Sequence, residues 1–292
     1  MLFNCIMCGS SKSKIIKDNL RDSNQHKVVK CSSCGQVQIY PRPSIIEDKK
    51  YYDKDSQAID TFKSIDMNSI KERSTIESRR RLAAFQNKLK RTDDMLEVGC
   101  GYGFFIKYME MHGYSIQGIE ISDIRREYGT TNLGCKIFNV NLINEDLPKS
   151  FYEKYDVIFL LHVLEHISEP EEFLKKIRKM LKKDGLLIIE VPNFDDHMLN
   201  ISETYYDFYF QRAHITYFNK ESLEKLLKTS GWLIYEFKGI QRYDLYNALN
   251  WIIKGKPELE NRKLDTLEWV EDFYRERLVT ELSCDTLIAY CK

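Results

Sequence analysis

No charge of either sign is in surplus in this chain: lysine plus arginine and aspartate plus glutamate number 44 each among 292 residues. A balanced chain generates no net field to gather nucleic acid or an anionic membrane, so only local patches could do so. Long apolar runs are missing too. None approaches the roughly 18 residues of a membrane span, and Cys5 and Cys8 fall where a secretory leader would be apolar. A cytoplasmic location without a membrane span is the expectation. Internal repeats, low-complexity tracts and a G-x-G-x-x-G dinucleotide loop are also absent. What remains, 43% apolar and 30% charged residues, describes an ordinary globular chain with room for one sizeable core and a small accessory domain.

Residues 96–103 are Leu-Glu-Val-Gly-Cys-Gly-Tyr-Gly. They read as a buried strand running into a glycine turn, with Glu97 just before it. Gly99, Gly101 and Gly103 let the backbone turn tightly and approach a ligand that a side chain would block. Twenty-one residues past Gly99, a second strand closes on Glu120, where a nucleotide-binding sheet usually holds a ribose diol. A third strand, Tyr155–Leu161, delivers His162 and then His166 at its carboxyl end, the edge at which open α/β sheets bind ligands.

Periodicity places a helix over 70–90, with Ile76, Leu82, Ala83, Phe85 and Leu89 on one side and Arg79, Arg80 and Arg81 toward water. Strands at 94–99, 115–120, 135–140, 156–161 and 186–191 then alternate with helices at 103–112, from Ser122 onward, and at 171–183, where Asp184-Gly185 ends the helix. This alternation predicts a parallel sheet with right-handed crossovers. A helix at 222–229, a strand at 232–237, helices at 243–253 and 264–282 and a last strand at 283–291 complete the pattern.

Cysteine occurs in two styles. Cys5-Ile-Met-Cys8-Gly and Cys31-Ser-Ser-Cys34-Gly are paired corners separated by 22 residues, slightly longer than the common spacing of about 15–20. Four thiolates around Zn2+, each corner turned by its glycine, make a zinc ribbon, followed by the extended Pro41-Arg-Pro43. A ribbon that has lost its metal is the alternative, and two disulfides do not suit a cytosolic chain. Cys100, Cys135, Cys284 and Cys291 lack paired spacing and read as small buried apolar residues.

In order and spacing, LEVGCGYG, the acid Glu120 and the HVLEHI run at 162–167 resemble class I S-adenosylmethionine-dependent methyltransferases. With the ribbon, the chain is similar to those that modify sugars and polysaccharides. The resemblance implies an α/β, doubly wound Rossmann-like methyltransferase sheet with an antiparallel last strand, a small N-terminal zinc ribbon and a helical insert near the C-terminus. Its parts would be the ribbon at 1–43, a linker and N-terminal helix capping the substrate at 44–92, the donor-binding core at 93–239, the insert at 240–282 and the last strand at 283–292.

It also implies that S-adenosyl-L-methionine is held by Glu97, Gly99, Cys100, Gly101, Tyr102, Gly103, Phe104, Glu120, Ile121, Asn141, Leu142 and His162. Glu97 would accept loop amides or orient the donor's amino-acid end. Asn141 stands where the family puts an adenine ligand. His214, in Arg212-Ala-His-Ile-Thr-Tyr-Phe218, matches a histidine that lies across the acceptor from the donor, although Ala213 replaces the family's neighbouring glutamate. His214 is thus the leading general base, with His162 and His166 as further catalytic candidates and a backbone-bonding role preferred for His166. Tyr51, Tyr52, Tyr206 and Tyr209 would stack on the substrate or fill the core.

The acceptor so implied is a small molecule or nucleotide-linked sugar, methylated on oxygen. Carbon methylation of a deoxysugar and methylation of a capsule phosphoramidate are the variants. A nucleic-acid enzyme gripping phosphates with the ribbon and Arg79–Arg81 is disfavoured by charge balance and by the lack of an Asn-Pro-Pro-Tyr loop. A noncatalytic binding protein is the remaining class, and the insert offers a surface for homo-oligomerisation.

Overall fold

The computed structural model describes residues 3–43, 66–257 and 268–292. Tyr51, Tyr52 and most of the linker lie outside the described residues. Eleven strands form two sheets among the described residues. The chain divides into two compact units: one takes the described parts of Met1–Arg42, Leu164–Ser168 and Glu190–Tyr290, the other those of Pro43–Val163, Glu169–Ile189 and Cys291–Lys292.

The large sheet has seven strands: β4 (Asp94–Val98), β5 (Ser115–Ile119), β6 (Ile137–Phe138), β7 (Tyr155–Leu161), β8 (Leu181–Pro192), β10 (Ile234–Ile240) and β11 (Thr286–Cys291). Their order is β10-β11-β8-β7-β4-β5-β6, with the last strands antiparallel. β4 pairs in parallel with both β5 and β7, so the sheet reverses its winding at β4. That strand carries the glycine loop, as a topological switch point should. The Rossmann-like α/β expectation holds.

In the second unit, helix α1 (Met67–Phe85) buries Ser78, Leu82 and Phe85, one side of the helix by their spacing. Ile76, placed on that side from the sequence, is instead exposed, and Ala83 is exposed with it. Phe85 and Phe105 of α2 (Phe104–Met111) both pack on Phe159 of β7, at ring-centroid distances of 5.7 and 5.5 Å. Some local expectations shift. β6 keeps only two of the six residues expected at 135–140. Helix α4 (Pro170–Met180) stops before Asp184-Gly185, which β8 absorbs because Leu181 and Gly185 through Val191 are buried as strand residues. Ser122 precedes α3 (Asp123–Thr131) but makes no side-chain cap bond.

The first unit is built on an antiparallel sheet of β1 (Ser13–Lys17), β2 (Lys27–Cys31), β3 (Val37–Tyr40) and β9 (Thr216–Tyr217). Strand alternation gives β2 two buried faces. Val28 joins Leu20, Val37, Ile39, Phe210, Ile215 and Tyr217, while Val29 joins Phe3, Cys5 and Cys31. The cysteine segment is therefore not a freestanding module: the outer edge of β3 pairs with β9, Val37 opposite Tyr217 and Gln38 opposite Thr216, leaving less edge bare.

Short helices α5 (Met198–Ile201) and α6 (Glu203–Tyr209) precede α7 (Lys220–Thr229), whose first residues close a capping box between Asn219 and Ser222. The expected insert appears as α8 (Leu245–Lys254) and α9 (Glu268–Glu281). Asp285 fastens its base, accepting from Arg242 Nε at 2.8 Å and from the backbone amide of Arg242 at 2.7 Å. No helix of the described residues is long and apolar enough to cross a membrane.

Gly118 of β5 lets this sheet and α2 close on one another. A Cβ there would stand 2.5 Å from both Cys100 Sγ and Ile106 Cδ1. Gly118→Val should therefore destabilise the protein by about 1–3 kcal/mol through overpacking. An unchanged denaturation midpoint in urea would contradict this packing.

Candidate functional site

β4 ends at Val98, and the chain turns through Gly99, Gly101 and Gly103 with φ of 71°, 56° and 81°. Two of these glycines are required by neighbours: a Cβ at Gly99 would lie 2.7 Å from Val163 Cγ2, and one at Gly103 would lie 3.1 Å from Ile137 Cδ1. Gly101 differs. Among the described residues, its own chain neighbours aside, no atom lies within 4 Å of where its Cβ would be, so the space beside it is open.

Glu120, just past β5, holds this loop. Its Oε2 accepts from Gly101 N and its Oε1 from Ser122 N, both at 2.8 Å. Such charge-assisted bonds to a buried carboxylate are stronger than neutral ones, and they tie the glycine turn to the first turn after β5. Glu97 is also buried, at 4% exposure, which removes the reading of an ordinary surface carboxylate.

A cavity of about 350 Å³ opens on the loop, within the roughly 300–1,000 Å³ typical of small-molecule pockets. Glu97, Gly99, Cys100, Gly101, Tyr102 and Phe104, all named from the sequence, line it from the loop side. Burial, and then the neighbouring Glu97 and Glu120, push the Cys100 thiol well above its ordinary pKa.

The opposite wall was not foreseen. Arg73, Glu77 and Arg81 of α1 recur every fourth residue and face the cavity together with Ile70, Ser74 and Ser78. Arg81 belongs to the arginine triplet assigned to solvent; its i, i+4, i+8 relation to Glu77 and Arg73 was the available signal.

Several expected donor residues do not line this cavity. Gly103 caps α2 from behind, Glu120 is occupied with loop amides, and Leu142 is buried. Ile121 is 36% exposed. Asn141 Oδ1 accepts from Ile143 N and Asn144 N, closing its own turn. His162 follows β7 with φ 57°, a left-handed conformation costly for a residue with a Cβ. Such strain is most often kept where the side chain or backbone is needed in one direction.

The first unit holds the other two histidines. His166, ending the 3-10 turn Leu164–His166, has Nδ1 2.7 Å from the Ala213 carbonyl, so that ring nitrogen donates. His214 Nε2 lies 2.8 Å from Gln211 Nε2, whose Oε1 accepts from Arg21 at 2.5 Å. This sets the amide so that it donates to His214. The two imidazoles meet edge to face at 5.0 Å between centroids. Glu165, 1% exposed, joins them, with one ligand atom from each of the three residues inside 4.8 Å of the others. Glu165 is thus a carboxylate beside this pair that reasoning from sequence passed over.

Tyr206 and Tyr209, expected against substrate, are instead core residues. Tyr206 OH donates to Ile16 O at 3.1 Å and Tyr209 OH to Asn193 O at 3.0 Å, and burial raises both phenol pKa values. They pack in the aromatic cluster with Phe210 and Tyr217. Cys5 and Cys34 Sγ are 3.5 Å apart and Cys8 and Cys31 Sγ 3.7 Å, with all four sulfurs within 4.8 Å. The other four cysteines are buried, as expected.

A family model described as "Methyltransferase domain" matches residues 69–236, and the chain belongs to that family. A curated Ubiquinone biosynthesis O-methyltransferase of Rickettsia bellii is 30% identical over 104 residues, 34% of this chain and 42% of that protein. The chain thus spans less than half the length of the first curated relatives it matches. Among solved structures, a SAM dependent methyltransferase from Archaeoglobus fulgidus superposes with a TM-score of 0.52 at 17% identity, over 75% of this chain and 94% of that one. The Burkholderia thailandensis 1,6-didemethyltoxoflavin-N1-methyltransferase, solved with its substrate and S-adenosylhomocysteine, gives 0.51 at 12%, over 96% of this chain and 98% of that one. Both are likenesses of fold.

The open space at Gly101 provides a direct check. Gly101→Val should abolish calorimetric binding of S-adenosylhomocysteine and, because its φ is 56°, cost about 1–2 kcal/mol of stability, while the circular dichroism spectrum stays native. Undiminished binding would remove the cavity from consideration.

Proposed function

We propose that the protein transfers a methyl group from S-adenosylmethionine to a hydroxyl oxygen, with a sugar, free or nucleotide-linked, as the acceptor. The open Gly101 loop facing a 350 Å³ cavity is the observation that carries the donor assignment. Bound there, S-adenosylmethionine would supply a sulfonium-activated methyl carbon. Glu97 and the loop amides suit its amino-acid end, and Arg73 and Arg81 bring positive charge to the same cavity for its carboxylate.

The acceptor oxygen attacks the methyl carbon in line, the carbon–sulfur pair returns to sulfur, and the hydroxyl proton must leave. Removal of that proton depends in this reading on the pair His166 and His214, imidazole being the side chain best suited to general-base work near neutrality. His162 is the further candidate. The resemblance of the segment around His214 to sugar-modifying enzymes supports the carbohydrate acceptor. A phenolic acceptor is the second reading, favoured by the names of the ubiquinone-pathway relatives.

The four thiols fit Zn2+. A tetrahedron of sulfurs about 2.3 Å from zinc has edges of about 3.8 Å, close to the 3.5 and 3.7 Å found. Burial opposes ionisation of Cys31, but the amides of Cys34 and Ser33 and the neighbouring Cys5 and Cys8 outweigh it and bring its pKa down to about 7. Burial instead pushes Cys5 and Cys34 up, so Cys31 is the thiol nearest to a thiolate at neutral pH. The role is structural, with four protein ligands and no position for substrate.

Two outcomes follow. His214→Ala should lower turnover by about 100- to 10,000-fold, with S-adenosylhomocysteine affinity near wild type. Retention of full turnover would remove His214 from the chemistry. Cys31→Ser should release zinc, read by metal analysis, and lower the melting temperature; equal zinc content and stability would exclude the ribbon site.

A further inference from the structure

A second cavity, of about 420 Å³, lies wholly within the first unit, between the cysteine corner at 31–35 and the start of α7. That is room enough for a small polar molecule. Lys30 of β2 and Lys225 of α7 both line it, and among the described residues neither ammonium group has an ion-pair or hydrogen-bond partner. Glu221 offsets only one of them. Asn219, Glu221 and Ser222 bring to the same wall the cap and first turn of α7, the end at which a helix dipole is positive.

Gln36 points independently to a ligand. It is 1% exposed and lines the cavity. Its Nε2 donates to Val37 O at 2.7 Å and to Tyr217 O at 3.0 Å, which fixes the orientation of the amide, while Oε1 has no partner among the described residues. With Nε2 turned to strand carbonyls, Oε1 is the end left toward the cavity. A buried acceptor without a donor is costly, and a ligand hydroxyl would remove that cost.

We propose that this cavity binds a phosphorylated sugar, its phosphate on Lys30, Lys225 and the first turn of α7 and one of its hydroxyls donating to Gln36 Oε1. Charge-assisted bonds from ammonium groups and first-turn amides suit the phosphate. Glu221 repels a bare anion but accepts from a sugar hydroxyl, so the mixed wall favours a ligand that carries both groups. The site is one of binding alone, and it stands whatever occupies the donor cavity.

The test is calorimetry on the full zinc-loaded chain with the 1-phosphates of glucose, galactose and mannose, against inorganic phosphate and the three free sugars. At least one sugar phosphate should bind at one site per chain, about tenfold or more tighter than phosphate or its free sugar. The double variant K30A/K225A should weaken that binding at least about tenfold, with zinc content and S-adenosylhomocysteine affinity as in the wild type. In ¹H–¹⁵N spectra the side-chain amide of Gln36 should shift as the sugar phosphate is added. No saturable binding of any of the three at millimolar ligand, equal binding by the double variant, phosphate matching the sugar phosphates, or an unmoved Gln36 amide overturns the site. The rival role for the lysines is to balance the negative charge of four thiolates around Zn2+, since Cys34 also lines the cavity. Loss of zinc from K30A/K225A, with no sugar phosphate bound by the wild type, would establish that role in place of the proposed one.

Discussion

The carboxylate of Glu120 is the fastening on which the glycine loop depends. A turn with three left-handed glycines has high entropy when free, and nothing in its own side chains holds it. Two backbone amides from different turns, Gly101 and Ser122, converge on one buried carboxylate at 2.8 Å each. These bonds fix the loop from within the protein, which spares a ligand much of that ordering cost. The cavity beside Gly101 exists because the backbone is held away from it, with Gly99 pressed against Val163 and Gly103 against Ile137.

A second constraint acts in the first unit. β2 is buried on both faces, so its alternation separates two small cores: aromatic residues on the side of Val28, the cysteines on the side of Val29. The edge of β3 is then completed by Thr216–Tyr217, directly after His214. The segment that closes the ribbon's sheet is thus the one that carries the histidine, and Arg212 N donates to Asp22 at its start. The cysteine cluster and the His214 turn are in this way joined through one sheet.

Local features were legible in the sequence. LEVGCGYG carries its turn within eight residues, and paired C-x-x-C-G corners state their own geometry, so the loop and the sulfur cluster appear where spacing puts them. Features that depend on return of the chain were not. Glu165 stands between two histidines and drew no attention because its partner His214 arrives 49 positions later. Arg81 was lost in a triplet whose three members point in different directions on a helix; only its phase relative to Arg73 and Glu77 distinguishes it. Tyr206 and Tyr209 could fill a core or line a cleft with the same composition, and backbone carbonyls at Ile16 and Asn193 decided for the core. β6 shrank because only Ile137 and Phe138 find partners on β5.

The central claim is that a sulfonium methyl reaches an acceptor oxygen on this protein. Incubation with S-adenosylmethionine labelled with ¹³C at the methyl, against matched panels of nucleotide-linked sugars and phenols, reads this directly by carbon NMR. The account predicts a ¹³C resonance in the O-methyl region on a sugar, formed in step with S-adenosylhomocysteine. Label that stays in the donor across both panels, or that appears on carbon or nitrogen, would contradict it.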